Sequence, residues 1–208
     1  MEIRQLDPTY AAELLERQRS LQAEARQVLT DLALMSSLSQ LGHAEHIGSS
    51  VSGLMVWRDL DVGARCPQPS PDRVFQTLQP ILTHSRVHEV LYREETGPRS
   101  PSGQPTDQRY YFVLRYMTAA DQRWKIDISI WLTDAPRNQL GHLEDLARRL
   151  TDETRLAILW IKDVWHRLET YPDEVSGTDI YAAVLDHGVR TPEQFATYLL
   201  ERSLPSDE

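Results

Sequence analysis

Apolar positions near the start of the chain recur at helical spacing. Tyr10, Leu14, Leu21, Val28, Leu29 and Leu32 form a loose stripe, and the opposite face is rich in Glu, Arg and Gln. Asp7-Pro8 supplies a cap and a first-turn proline, so the spacing predicts a long packing helix from there. The period then changes. Residues 42–47 read as a first strand that delivers the chain to Gly48, and Ser49-Ser50 begin a short helix or turn through about Trp57. Asp59-Leu60-Asp61-Val62 alternates acid and apolar side chains with a period of two, the signature of a half-buried strand. Pro67, Pro69 and Pro71 mark 65–73 as a loop, from which Ser70-Pro71-Asp72 starts a helix carrying Val74, Phe75, Leu78, Ile81 and Leu82 on one side. Strands are predicted over 87–95, 109–117 and 124–132, with a mobile hairpin loop of Pro, Gly, Ser and Thr over 96–108.

After Pro136 the pattern becomes helical. Helices are expected over 140–150, from Thr151-Asp152-Glu153 to about Glu169, over 178–186 with Gly188 past the end, and from a capping-box start at Thr191-Pro192-Glu193-Gln194. In the helix after 151, Leu156, Trp160, Val164 and Leu168 follow an apolar row, whereas Arg155, Lys162 and His166 lie on a polar one. The expected fold class is α+β. A packing helix over 1–36 precedes a mixed-sheet core over 37–137 flanked by helices, and a helical region over 138–208 follows. No internal repeat is visible.

Composition narrows the function classes. The chain has 208 residues, and Lys plus Arg is 22 against Asp plus Glu 31, a formal net charge of -9. Long-range attraction to nucleic acid or an anionic membrane is not expected to drive function. Cys66 is the one cysteine, so an internal disulfide is impossible. No apolar run approaches the roughly 20 residues of a membrane span, and no signal pattern opens the chain. The expectation is a soluble cytoplasmic protein. His43, His46, His84, His88, His142, His166 and His187 are scattered without zinc spacing, and His46 is expected to be packed or capping. No Gly-rich loop ends in Lys-Ser or Lys-Thr, which disfavours the P-loop ATPase class.

The alternating acids carry the chemistry. On a strand, Asp59 and Asp61 project from one face with Cα atoms roughly 6.6 Å apart. A later strand, Trp124 to Trp131, places Asp127 between Ile126 and Ile128. If the two strands are neighbours, three carboxylates meet. Two ionised carboxylates about 4 Å apart repel by roughly 4 kcal/mol at an effective dielectric near 20, so such a cluster shifts a pKa, stays wet or holds a cation. Magnesium, a hard ion shared with phosphates, is the natural choice. Gly48 lets backbone approach a ligand closely, and Ser49 and Ser50 offer donors for phosphate oxygens.

Ile47-Gly48-Ser49, Asp59-Leu60-Asp61-Val62 and Ile126-Asp127-Ile128, in that order, resemble the signature of the polymerase-beta-like nucleotidyltransferase superfamily. The likeness covers roughly residues 40 to 132. It implies a metal-dependent enzyme that moves a nucleoside monophosphate from an NTP to a hydroxyl of a small molecule or protein, releasing pyrophosphate. Asp59 and Asp61 would ligate two magnesium ions. Asp127 would bind the ion that activates the acceptor hydroxyl, and Gly48, Ser49 and Ser50 would hold the phosphates. Lys162, in a helical segment after the sheet, resembles a triphosphate-binding lysine of several members. Nucleic acid is not the expected acceptor, and a homodimer fits the superfamily. The alternatives are a binding or antitoxin-type module of the same fold that acts through a partner protein, and an interaction protein whose acids are surface decoration.

Overall fold

A computed structural model describes residues 6–135 and 138–203. Along the chain its elements are α1 (Pro8–Asp31), α2 (Leu34–Ser39), β1 (His43–Ile47), α3 (Ser49–Ser52), β2 (Asp59–Arg65), α4 (Pro71–Leu82), β3 (Val87–Glu95), β4 (Arg109–Met117), β5 (Arg123–Trp131), α5 (Asn138–Arg149), α6 (Asp152–Trp165), α7 (Gly177–Asp186) and α8 (Pro192–Ser203). They divide into two compact units. One is Leu21–Glu144; the other joins the described residues up to Ser20 with those from Asp145 onward. No helix of the described residues is long and apolar enough to cross a membrane.

The first unit is built on a five-stranded sheet in the order β1-β2-β5-β4-β3. β2 and β5 run parallel, and every other neighbouring pair is antiparallel, so the sheet is mixed. The period-two alternation seen in the sequence separates its faces. Leu60, Val62, Phe112, Leu114, Ile126, Ile128 and Ile130 are buried against Leu21, Ala25 and Val28 of α1, Leu32 just past its end, Leu38 of α2 and Val74, Leu78 and Ile81 of α4. Each such side chain taken out of water contributes roughly 1.5–3 kcal/mol. The other face carries Asp59, Asp61, Lys125 and Asp127.

The strands over 87–95 and 109–117 fall where the alternation predicted, and β5 lies one residue earlier than expected. Two differences have local causes. α3 stops after four residues because Gly53 turns left-handed (φ 70°), so the helix does not run toward Trp57. The 96–108 connection, expected as a loop, contains two 3-10 turns at Gly97–Arg99 and Pro105–Asp107. Pro136 lies outside the described residues.

The second unit is helical. α6 opens with a reciprocal capping box: the Thr151 hydroxyl accepts from the Thr154 N–H, and the Thr154 hydroxyl accepts from the Thr151 N–H. It ends at Trp165, short of Glu169. Ser176 and Asp179 form the same device at α7, one residue ahead of the expected start. At α8 the Thr191 hydroxyl accepts from the Gln194 N–H, but the Gln194 side chain accepts from Arg190 rather than from Thr191. Ile158, Leu159, Ile161, Ile180, Ala183 and Phe195 are fully buried.

Candidate active site

Register brings the acids together. In the parallel β2–β5 pair, Asp61 stands directly opposite Asp127 and Asp59 opposite Lys125. Adjacent strands lie about 4.8 Å apart. Side chains at paired positions share a face, so Asp59, Asp61, Lys125 and Asp127 form a two-by-two array. β1 lies on the far side of β2, with Ile47 opposite Asp61, and delivers the chain to Gly48 beside that acid.

Gly48 is fixed by space and by backbone. A β-carbon built there would overlap Asp61 Oδ2 and come within 3.1 Å of the Asp61 Cγ. Its φ of 79° and ψ of -161° lie in a region that is essentially glycine-only. The turn and the first strand of the acid pair are therefore in van der Waals contact. A second glycine, Gly63, opens the same face further along β2. A β-carbon there would approach the Ser129 carbonyl oxygen to 2.5 Å and overlap the Trp131 ring.

Lys125 closes the array. Its Nζ donates to Asp127 Oδ2 at 2.7 Å and lies 3.5 Å from Asp59 Oδ1. The three side chains keep only 20, 16 and 14 per cent exposure for Lys125, Asp59 and Asp127. Burial alone would lower the lysine pKa, but the charges of Asp59 and Asp127 outweigh it and hold the pKa above its ordinary value. Tyr111 on β4 adjoins Asp127. Burial first, and then the Asp127 charge, push its phenol upward, so it stays protonated. Arg109 stacks 4.4 Å over the Tyr111 ring while its guanidinium donates to Glu95 at 2.6 Å and to the Ser129 hydroxyl at 3.1 Å. Lys125, Tyr111 and Arg109 were not singled out from the sequence. The available signal was their period-two offset from Asp127, readable only once strand register is known.

Among the described residues no group of three or more His, Cys, Asp or Glu side chains is placed to hold a metal ion. Magnesium rarely uses an all-protein cage; it takes one or two carboxylates and completes its shell with water and substrate phosphate. The donor set here suits it: hard oxygens only, and a buried Asp127 Oδ1 that has no hydrogen-bond partner. The residues present fit a magnesium ion.

Ser49 and Ser50 diverge. Ser49 is half-buried, whereas Ser50 is buried and its hydroxyl lies 2.8 Å from His46 Nε2. The Ser50 hydroxyl is thus engaged inside the fold rather than offered beside the acids. His46 is held below its ordinary pKa by burial, which suits a neutral ring.

Three solved structures share this architecture. Cid1 poly(U) polymerase bound to MgATP superposes with a TM-score of 0.58 at 16% identity, over 86% of this chain and 55% of that one. Cid1 with the UTP analog UMPNPP gives 0.54 at 15% identity, over 85% and 53%. A cytoplasmic RNA terminal U-transferase gives 0.53 at 16% identity, over 84% and 54%. The chain has the polymerase-beta-like nucleotidyltransferase fold. It spans about half the length of the solved structures it matches. No protein-family model matches the sequence, and no curated protein matches it either.

Lys162 lies in the helical unit, where the polar and apolar rows do not map onto exposed and buried sides: Lys162 is only 2 per cent exposed, whereas Val164 and Leu168 are 40 and 45 per cent exposed. Its Nζ reaches the Tyr181 hydroxyl at 3.4 Å. Next to it Asp163 is also buried, ion-paired with Arg17 at 2.7 Å and with Arg167 at 3.1 Å, and it accepts from the Tyr10 hydroxyl. Polar side chains lie inside because residues remote in sequence satisfy them.

Proposed function

We propose that this protein transfers a nucleoside monophosphate from an NTP to a hydroxyl acceptor, with Asp59, Asp61 and Asp127 as the reacting-centre carboxylates. One arrangement carries the reading: three acids from two parallel neighbouring strands share a sheet face, with Gly48 pressed against Asp61. Asp59 and Asp61 would hold magnesium, as would Asp127. Bound there, the ion would neutralise charge on the triphosphate.

The chain's own groups do the rest. Asp127 accepts the proton of the acceptor hydroxyl. The freed oxygen bonds to the α-phosphorus, the bond to the bridging oxygen of the β-phosphate breaks, and pyrophosphate leaves with that electron pair. Gly48 and Ser49 supply close backbone approach for the β- and γ-phosphates. Tyr111, kept protonated, remains a donor toward the Asp127 side of the site. A second magnesium ion is a further part of the same reading.

The acceptor we favour is a hydroxyl of a small molecule or protein, because a net charge of -9 opposes binding of a long polyanion. A second reading, an RNA 3′ hydroxyl, draws on a different observation: the matched structures are described as a poly(U) polymerase and an RNA terminal U-transferase.

The test incubates the protein and magnesium with each labelled NTP against three pools: small molecules, proteins and RNA oligonucleotides. A labelled product is expected in one pool with the wild type and in none with Asp59→Asn or Asp127→Asn. Thermal melts accompany it, since ligand at about 100 times its dissociation constant adds roughly 2.7 kcal/mol. Failure of all four NTPs to raise the melting temperature with magnesium would overturn nucleotidyl transfer and favour the module that acts through a partner.

A further inference from the structure

β3 ends the sheet. One side is bonded to β4, and no strand of the described residues pairs with the other. It is nine residues long, contains no proline, and leaves Val90 and Leu91 at 40 and 41 per cent exposure. Such an edge invites pairing unless it is guarded. The one irregularity is a register shift between Val87 and Glu89, at the very start. The opposite edge, β1, is only five residues long.

We propose that β3 pairs antiparallel with β3 of a second copy of this chain about a two-fold axis at Leu91. The sequence Val-His-Glu-Val-Leu-Tyr-Arg-Glu-Glu is self-complementary in that register alone. Leu91 faces Leu91, Val90 faces Tyr92 twice, Glu89 faces Arg93 twice, and His88 faces Glu94 twice. Moving the axis to Tyr92 sets Glu89 against Glu95, and placing it between Leu91 and Tyr92 sets Glu89 against Glu94. Opposite charges directly across a ladder stabilise it and like charges weaken it. Within the chain, Glu94 and Glu95 already pair with Arg99 and Arg109, whereas Glu89 and Arg93 have no ion-pair partner among the described residues. Tyr92 packs edge-on to Phe75, itself 39 per cent exposed, so the Val90–Tyr92 pairs would extend an aromatic cluster already in place. An isologous contact of this kind closes on itself and stops at two copies.

Sedimentation velocity of the full chain from roughly 1 to 200 µM reads the result, a range chosen because an edge pairing is a small interface. The wild type should approach twice the monomer mass as concentration rises. Glu89→Arg and Arg93→Glu should each remain monomeric, because each sets like charges opposite one another. Mixed in equal amounts, the two variants should form a heterodimer, since both pairs between positions 89 and 93 are then of opposite sign. Circular dichroism melts within a few degrees of wild type would show that both variants fold. A wild type that stays monomeric throughout would overturn the proposal, as would variants that dimerise alone or fail to combine when mixed. None of these residues belongs to the proposed reacting centre, so the outcome is independent of whether nucleotidyl transfer is found.

Discussion

Gly48→Ala probes the contact between the turn and the acids. The backbone at this position has φ 79° and ψ -161°, where an L-residue costs on the order of 1–3 kcal/mol. A new methyl must also displace the Asp61 carboxylate, which it would overlap. A total of roughly 2 kcal/mol or more is expected, a fall of about 4–8 °C in melting temperature for a chain of this length. Gly97→Ala is the control. Gly97 has φ 52°, but a β-carbon there meets nothing within 4 Å, so backbone strain acts alone. Differential scanning calorimetry of both variants separates strain from overlap. If Gly48→Ala melts no lower than Gly97→Ala, the argument that glycine is required by Asp61 is wrong. A further readout is local: with Asp61 displaced, the rise in melting temperature on adding NTP and magnesium should shrink in Gly48→Ala and stay intact in Gly97→Ala.

Two other expectations follow from the same structure. Lys125→Met removes the ammonium seated between Asp59 and Asp127; without added divalent ion it should destabilise the fold by about 2 kcal/mol, less than a fully buried pair because these groups are partly wet. Titration calorimetry with manganese should show tighter binding than wild type, because no ammonium has to be displaced, and equal or weaker binding would refute this role. His46 has its pKa lowered by burial, so the unfolded chain binds the extra proton and stability should fall as pH drops through and below about 6.5. Melts at pH 8 and pH 5.5 should show a smaller acid-induced loss in His46→Gln than in wild type; an unchanged loss would assign the effect to other groups.

Much of the sheet was legible from alternation alone, because β4, and β5 as far as Ile128, bury one set of side chains and the period-two pattern is strong. Asp59, Asp61 and Asp127 could be singled out for the same reason: acids stood at the polar positions of strongly apolar strands. Their shared face and the Lys125 bridge could not, since both depend on β2 and β5 being parallel neighbours in one register, a pairing made across more than sixty residues of sequence. The helical region was harder. The buried side of α6 carries Lys162 and Asp163, and hydrophobic periodicity cannot anticipate that Tyr181 meets the first and Arg17 and Tyr10 the second. The Ser50 contact was likewise out of reach of the sequence, because its partner His46 lies on the preceding strand.

The two-faced sheet has a consequence for how this chain tolerates change. Along β5, Ile126 and Ile128 sit in the oily interior while Lys125 and Asp127 look outward to the charged array. Adjacent codons therefore answer to unrelated demands. Alterations at Ile126 and Ile128 should register as folding defects, and those at Lys125 and Asp127 chiefly as altered ion binding, with a smaller effect on folding. A saturation scan over 124–128 would separate the two demands into alternating rows.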